Sequence, residues 1–109
     1  MPTTYKVLGQ SAPSATTATT LYTVPSATSA VVSTINVCNR AVTSDTFRIA
    51  VRPAGASLAT THYIAYDTAL AGNDAISVTI GISLATTDVI TVYAGTANLP
   101  FSAFGAEVS

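Results

Sequence analysis

The chain has 109 residues and a formal net charge of -1, and charged residues make up 8% of it, about a third of the ~25% usual in soluble proteins. A chain of this length builds one hydrophobic core, so we expect a single domain spanning residues 1–109. Its four basic residues are too few for the positive surface that binds nucleic acid or an anionic membrane. We therefore expect neither partner.

Cysteine content and the N-terminal residues indicate the compartment. Cys38 is the single cysteine, which excludes an intrachain disulfide and a cysteine-based metal site. The first residues lack a basic segment followed by an apolar run, and no run approaches the ~20 apolar residues of a membrane span. We expect synthesis in a cytoplasm without export by a signal peptide.

Segments rich in Val, Ile, Thr and Tyr alternate apolar with polar residues, and none repeats apolar residues at helical spacing. We therefore predict an all-β fold. The predicted strands span residues 5–8, 20–24, 30–39, 46–52, 62–67, 75–84, 89–94 and 102–108. About eight short strands without helical crossovers favour antiparallel pairing in a β-sandwich or a jelly-roll-like barrel.

The alternation also predicts which side chains point inward. In residues 46–52 the large apolar side chains share one face, and Arg48 and Arg52 share the other. The expected inward set over all strands includes Ile35, Val37, Phe47, Ile49, Val51, Ile76, Val78, Ile80, Ile90, Val92 and Phe104.

Residues 11–20 contain only Ser, Ala, Pro and Thr, so this segment has no large side chain to bury. We interpret it as an extended connection. It is either a surface loop, which is common in β-sandwiches, or an arm that lies across a neighbouring subunit.

Catalysis has little support in the sequence. His62 is the single histidine, and Asp67 is five positions away, so on a straight strand the two side chains would face opposite sides. A thiolate at Cys38 would need a nearby cation or a helix N-terminus, and a buried structural cysteine is the simpler interpretation. We predict no enzyme activity and no catalytic residue.

The five acidic residues are dispersed along the chain. Asp45, Asp74 and Asp88 each precede a predicted strand, where carboxylates commonly accept turn N–H groups. No close set of oxygen ligands, zinc spacing or phosphate-binding glycine loop is present. We therefore predict no metal and no cofactor.

Four residues are candidates for an interface with another protein: Arg48, Arg52, Tyr63 and Tyr93. Arginine and tyrosine are enriched at interfaces, and arginine can pair with a partner's carboxylates. The alternative is an ordinary solvated strand face. Because surface charge is what keeps many domains monomeric, a chain with so little of it is expected to associate with copies of itself or with a larger scaffold.

Several runs also resemble a known group of proteins: LYTVP at residues 21–25, VVSTINVCNR at 31–40, TFRIAV at 46–51 and FG at 104–105. They are similar to small β-rich virion proteins of tailed bacteriophages, in which such strands recur in this order, and the similarity spans residues 5–108. The resemblance implies a head decoration or cement subunit, or a tail, baseplate or fibre module. It implies a virion location after synthesis in the host cytoplasm, and as partners copies of the chain, a trimer by analogy, and other virion proteins.

A carbohydrate-binding β-sandwich used in host-surface recognition is the main alternative. Tyr63, Tyr66 or Tyr93 could stack on a sugar ring, although the chain has no tryptophan. A hydrolase that uses His62 ranks third.

Overall fold

The computed structural model describes residues 2–79 and 81–109. Within them the chain forms nine strands and two 3-10 turns, which confirms the predicted all-β fold. The strands are β1 (Thr3–Ser11), β2 (Thr19–Thr23), β3 (Ser29–Cys38), β4 (Asp45–Arg52), β5 (Tyr63–Leu70), β6 (Ala75–Val78), β7 (Ile82–Leu84), β8 (Val89–Ala94) and β9 (Phe101–Val108). The turns Pro53–Gly55 and Thr60–His62 lie between β4 and β5.

The strands form two antiparallel sheets that pack as a β-sandwich. The five-stranded sheet has the order β1-β9-β3-β6, and β7 pairs with β3 on the same side as β6. The four-stranded sheet has the order β2-β8-β4-β5. Because β1 pairs with β9, the first and last strands lie side by side.

The core lies between the inner faces of the two sheets. Phe47 of β4 and Phe101 of β9 meet there edge to face, with ring centroids 6.1 Å apart and an interplanar angle of 73°. Of the expected inward set, Ile35, Val37, Phe47, Ile49, Ile90 and Val92 are fully buried, Val51 and Val78 are partly buried, and Ile80 lies outside the described residues. Burial of each such aliphatic or phenyl side chain contributes about 1.5–3 kcal/mol to the free energy of folding.

The strand predicted over residues 75–84 is in fact two strands, which explains why nine form where about eight were expected. β6 pairs with the C-terminal half of β3, and β7 pairs with its N-terminal half. Between them Gly81 adopts the left-handed region with φ of 62°, which a glycine reaches without steric penalty. An irregular step therefore interrupts this edge of the sheet.

Two residues expected in the core, Ile76 and Phe104, are each 38% exposed. Ile76 pairs with Val37 and shares its face, but it lies on the edge strand β6, so its cover is incomplete. Phe104 points outward, because Phe101 and Ala103 occupy the inward positions of β9. The strand predicted over residues 102–108 begins one residue later than β9, so Phe101 was not predicted as a core residue.

A bulge in β3 changes which residues face the core. Val32 pairs with Gly105 and Thr34 pairs with Phe104, so Ser33 is an extra residue on this strand. The inward positions therefore change from even to odd numbers, and both Val32 and Ile35 are buried. A strict period of two cannot describe such a strand.

Residues 11–20 pack against their own chain. Ser11 ends β1, residues 19 and 20 begin β2, and Pro13 is among the fully buried side chains. The Thr16 N–H donates to the Ala94 carbonyl oxygen at 2.8 Å. Most of the other side chains in this segment are exposed, so both the loop and the arm interpretations stay predictions.

Buried Asn39 connects two turns at one end of the sandwich. Its side-chain amide donates to the carbonyl oxygens of Thr43, Leu70 and Ala71 at 2.9, 3.3 and 3.3 Å. Its side-chain oxygen accepts the Ala41 N–H at 3.0 Å. A single side chain thus forms hydrogen bonds with four backbone groups from two connections.

We predict that Asn39→Ala lowers the free energy of unfolding by about 2–4 kcal/mol, because it leaves several backbone groups without a partner. Urea denaturation measures this change. Asn36→Ala is the matched control, because it removes one exposed hydrogen bond to Ser77, 3.1 Å long, and should cost less than about 1 kcal/mol. Equal losses in the two variants would contradict the role of Asn39.

Candidate functional site

On the outer face of the four-stranded sheet, the Arg48 guanidinium lies between two tyrosine rings. Its central carbon is 4.2 Å from the centroid of the Tyr66 ring and 4.3 Å from that of the Tyr93 ring. Tyr93 is the cross-strand partner of Arg48 on β8, and Tyr66 approaches from β5 on the other side. We call Arg48, Tyr66, Tyr93 and Asp67 the arginine clamp.

A bulge in β5 positions Asp67 in the clamp. Phe47 pairs with Thr68 and Ile49 pairs with Ala65, so both Tyr66 and Asp67 stand opposite Arg48. Asp67 has a φ of 48°, a left-handed conformation that aspartate adopts more readily than most residues. Both oxygens of its carboxylate can therefore reach the guanidinium.

The ion pair is bidentate and perturbs both groups. Arg48 Nε donates to one carboxylate oxygen of Asp67 at 2.7 Å, and a terminal nitrogen donates to the other at 3.3 Å. These bonds hold the pKa of Asp67 below its ordinary value and raise the pKa of Arg48. The positive charge of Arg48 is thus paired with the carboxylate of Asp67 in the same chain.

A groove opens beside the clamp. The Tyr63 and Tyr66 rings meet edge to face, with centroids 4.8 Å apart and an interplanar angle of 82°. The groove has a volume of about 500 Å³ and is lined by Leu58, Ala59, Thr60, Tyr63 and Tyr66. Tyr66 is 56% exposed, so part of its surface remains open to a ligand.

Arg52 does not join this cluster. It donates to the carbonyl oxygens of Ala56 and Gly55 at 2.8 and 3.2 Å and to the Thr91 hydroxyl at 3.3 Å. It therefore holds the connection between β4 and β5 against the sheet.

Of the four interface candidates, the structure brings Arg48 and Tyr93 into contact and links Tyr63 to them through Tyr66. Tyr66 and Asp67 were not predicted from the sequence as partners of Arg48. An aspartate inside a predicted strand was the available signal, because that residue type tolerates the backbone of a bulge.

The residues considered for catalysis each have a separate structural role. His62 was expected on a strand but belongs to the turn Thr60–His62, where its Nδ1 accepts the Ala59 N–H at 3.1 Å. Asp67 pairs with Arg48 instead. Cys38, expected to be buried, is only half-buried at the end of β3.

The acidic residues expected in turns have that role. Asp45, Asp74 and Asp88 accept the N–H groups of Thr46, Ala75 and Ala85 at 2.7, 2.8 and 2.9 Å. Across residues 2–79 and 81–109, no three histidine, cysteine or acidic side chains converge in a set that could hold a metal ion.

The outer face of the five-stranded sheet has a different character. Tyr5 and Val7 of β1, Val31 of β3 and Phe104 of β9 are all exposed there, at 85, 48, 45 and 38%. They border a shallow groove of about 760 Å³. We call this surface, which β1, β9 and β3 form, the apolar face.

A polar bridge joins the two sheets at the edge of the sandwich. The Tyr22 hydroxyl of β2 donates to Glu107 of β9 at 2.5 Å, and the Lys6 ammonium donates to the other carboxylate oxygen at 3.2 Å. Burial, followed by the bond to Glu107, raises the pKa of Tyr22. The hydrogen bond from Tyr22, followed by that from Lys6, lowers the pKa of Glu107 against the opposing effect of burial.

In the part of the chain that the structure describes, no helix is long and apolar enough to span a membrane.

No protein-family model matches the chain, and no curated protein and no solved structure matches it.

The polar bridge predicts how stability depends on pH. The pKa of Glu107 is lower in the folded chain than its ordinary value of 4.5. The ionised carboxylate therefore stabilises the fold above that pH, and this contribution is lost as the pH falls through the folded pKa. We expect urea unfolding to show a smaller loss of stability on acidification in Glu107→Gln than in the wild type.

Tyr22→Phe tests the cause, because it removes the hydrogen-bond donor while the carboxylate remains. It should also reduce the loss of stability at acid pH. If both variants kept the wild-type dependence on pH, the bridge would not be its source.

Proposed function

We propose that this protein is a non-catalytic structural component of a tailed-phage virion, and that it acts by self-association and by docking on a larger scaffold. The observation that carries the proposal is the apolar face, because a domain that remained alone would leave Tyr5, Val7, Val31 and Phe104 in water. The resemblance of the strand sequences to virion proteins supports the phage context.

Internal pairing of the few charges supports association. Lys6 pairs with Glu107, and Arg48 pairs with Asp67. These two pairs use four of the nine charged side chains, and the net charge of -1 leaves little repulsion to keep copies of the chain apart. In a particle, the high local concentration of subunits then favours the associated state by mass action.

Small side chains also favour a structural role. The chain is rich in Ala, Thr and Ser, which lose little rotamer freedom when two surfaces come together. A contact of this kind has a lower ordering cost than one built from long charged side chains.

The proposal includes no enzyme activity. His62 and Asp67 are the groups that a hydrolase would have to join, and each is bonded elsewhere: His62 to Ala59 and Asp67 to Arg48. A general base needs to be oriented toward its nucleophile.

Mass spectrometry of particles purified from the phage that encodes the chain tests the virion role. We expect the chain in intact particles, where a copy number in the hundreds indicates the head and one in the tens or below indicates the tail. A chain recovered from lysates but missing from washed particles would overturn the proposal.

Carbohydrate binding is a second candidate, because the exposed Tyr66 ring borders the groove beside the arginine clamp. A glycan array tests this function, and we expect Tyr66→Ala to abolish any signal. Tyr5→Ala is the matched control, because it removes an exposed tyrosine from the opposite sheet. An array without hits would count against this candidate and leave the structural proposal unaffected.

A further inference from the structure

We propose that two copies of this chain exchange their first strand, so that β1 of each copy pairs with β9 of the other. This inference rests on the proposed self-association and names the element responsible for it. The place that β1 leaves is filled by β1 of a second copy, because that place requires features that β1 itself carries. The connection that follows β1 acts as the hinge.

Few side chains hold β1 to the core. The strand lies at an edge of the five-stranded sheet, where it pairs with β9. Across Thr3–Ser11, all of which the structure describes, Leu8 is the one buried residue. Pro13, just after the strand, is also buried. Besides these two side chains, the backbone ladder to β9 holds the strand, and this ladder has the same form whichever copy supplies it.

The place that β1 occupies selects the strand that fills it. A Cβ atom at Gly9 would overlap the Leu21 carbonyl oxygen of β2, so glycine is needed there. Leu8 belongs to the apolar core. The Lys6 ammonium donates to Glu107 of β9 at 3.2 Å. A strand with a cation, an apolar side chain and a glycine at positions 6, 8 and 9 is β1 itself, so the partner that fits is a second copy.

The ladder between β1 and β9 adds to this selectivity. It contains a register shift between Val7 and Gly9, which a regular strand from another protein does not reproduce. Beyond the shift, the Gln10 side-chain amide donates to the Ser102 hydroxyl at 3.3 Å. An exchanged β1 restores each of these contacts in the other copy, so exchange retains the interactions of the closed monomer.

Residues 14–18, which lead toward β2, have the properties of a hinge. All five are exposed. Within them Thr16 has a φ of 52°, a left-handed conformation that is strained for a β-branched residue. When β1 leaves its own domain, this turn opens and Thr16 returns to an ordinary φ. A short connection under strain favours strand exchange for this reason.

Two backbone hydrogen bonds oppose the opening of the hinge. The Thr16 N–H donates to the Ala94 carbonyl oxygen at 2.8 Å, and the Thr17 N–H donates to that of Ser14 at 3.3 Å. Once the turn opens, water reaches these groups, so the net loss is small. The strain at Thr16 is therefore not offset by strong contacts of the hinge itself.

The closed monomer competes with exchange through effective concentration. A short connection holds β1 near its own β9 at an effective concentration in the millimolar range, which sets the dissociation constant of an unstrained exchanged dimer. Release of strain at Thr16 favours exchange by roughly 10-fold in each chain, and thus by about 100-fold in a dimer. We therefore expect a dissociation constant on the order of 10 µM.

A disulfide between β1 and β9 reports whether exchange has occurred. Gln10 and Ser102 are direct partners in the ladder, so Gln10→Cys with Ser102→Cys places two thiols within bonding range. Cys38→Ser removes the native thiol. After refolding from urea at about 1 mM and oxidation, we expect a covalent dimer on a denaturing gel without reductant, and after refolding at about 1 µM a monomer. Mass spectrometry should map the bond to positions 10 and 102 of different chains.

Gln10→Cys alone, with Cys38→Ser, is the matched control for this cross-link. Its single thiol reports accidental contact between copies, because no partner thiol is present on β9. We expect little covalent dimer from it. A dimer as abundant as that of the paired variant would overturn the assignment to strand exchange. Circular dichroism verifies that both variants are folded.

Thr16→Gly tests the hinge, because glycine adopts a positive φ without strain. Sedimentation velocity on samples refolded over a range of concentrations should show a dissociation constant at least about 10-fold higher than in the wild type.

Thr17→Gly is the matched control for the hinge. Thr17 is also exposed, its hydroxyl donates to the Ala15 carbonyl oxygen as that of Thr16 does, and its φ is not positive. Its dissociation constant should stay within about 3-fold of the wild type. Equal shifts in the two glycine variants would show that strain at Thr16 does not drive the exchange.

The possible outcomes separate this inference from the proposed function. If the chain dimerises and the bond between positions 10 and 102 stays within one chain, self-association stands and strand exchange is wrong. A chain that stays monomeric up to about 1 mM would contradict both. The presence of the chain in washed particles is measured independently of either result.

Discussion

The packing of two sheets around one apolar core is the constraint on which the other features of this molecule depend. Phe47 and Phe101 meet at its centre, one from each sheet. Because side chains alternate along a strand, burying one face of each sheet assigns the remaining side chains to the outside. The surface chemistry of this small domain is therefore a direct consequence of how its core is filled.

The two outer faces acquire different characters in this way. On the four-stranded sheet, a bulge at Asp67 and the stacking of Arg48 between Tyr66 and Tyr93 produce a polar, internally paired surface. On the five-stranded sheet, Tyr5, Val7, Val31 and Phe104 are exposed on the outer face, while Glu107 accepts hydrogen bonds from Lys6 and from Tyr22 of the opposite sheet. The second surface is the one that gains most from being covered.

Pairing of charges within the chain links these observations to the proposed role. An ion pair that is satisfied internally contributes little attraction to a partner and little repulsion between copies. Tyr22, Glu107 and Lys6 tie the two sheets together, while the arginine clamp ties β4, β5 and β8. The two ion pairs therefore contribute to the fold of the subunit, and the proposed assembly depends on apolar contact.

Local alternation and turn residues determined the all-β class, the positions of most strands and the burial of residues such as Ile35, Phe47 and Ile90. These features depend on neighbours along the chain, which the sequence displays. Only the tertiary structure decided that Phe104 points outward, that β6 and β7 are separate, and that Asp67 reaches Arg48. The outward position of Phe104 depends on which alternate residues of β9 pack against the other sheet. The other two depend on an irregular step or a bulge, which is set by pairing with a strand that is distant in sequence.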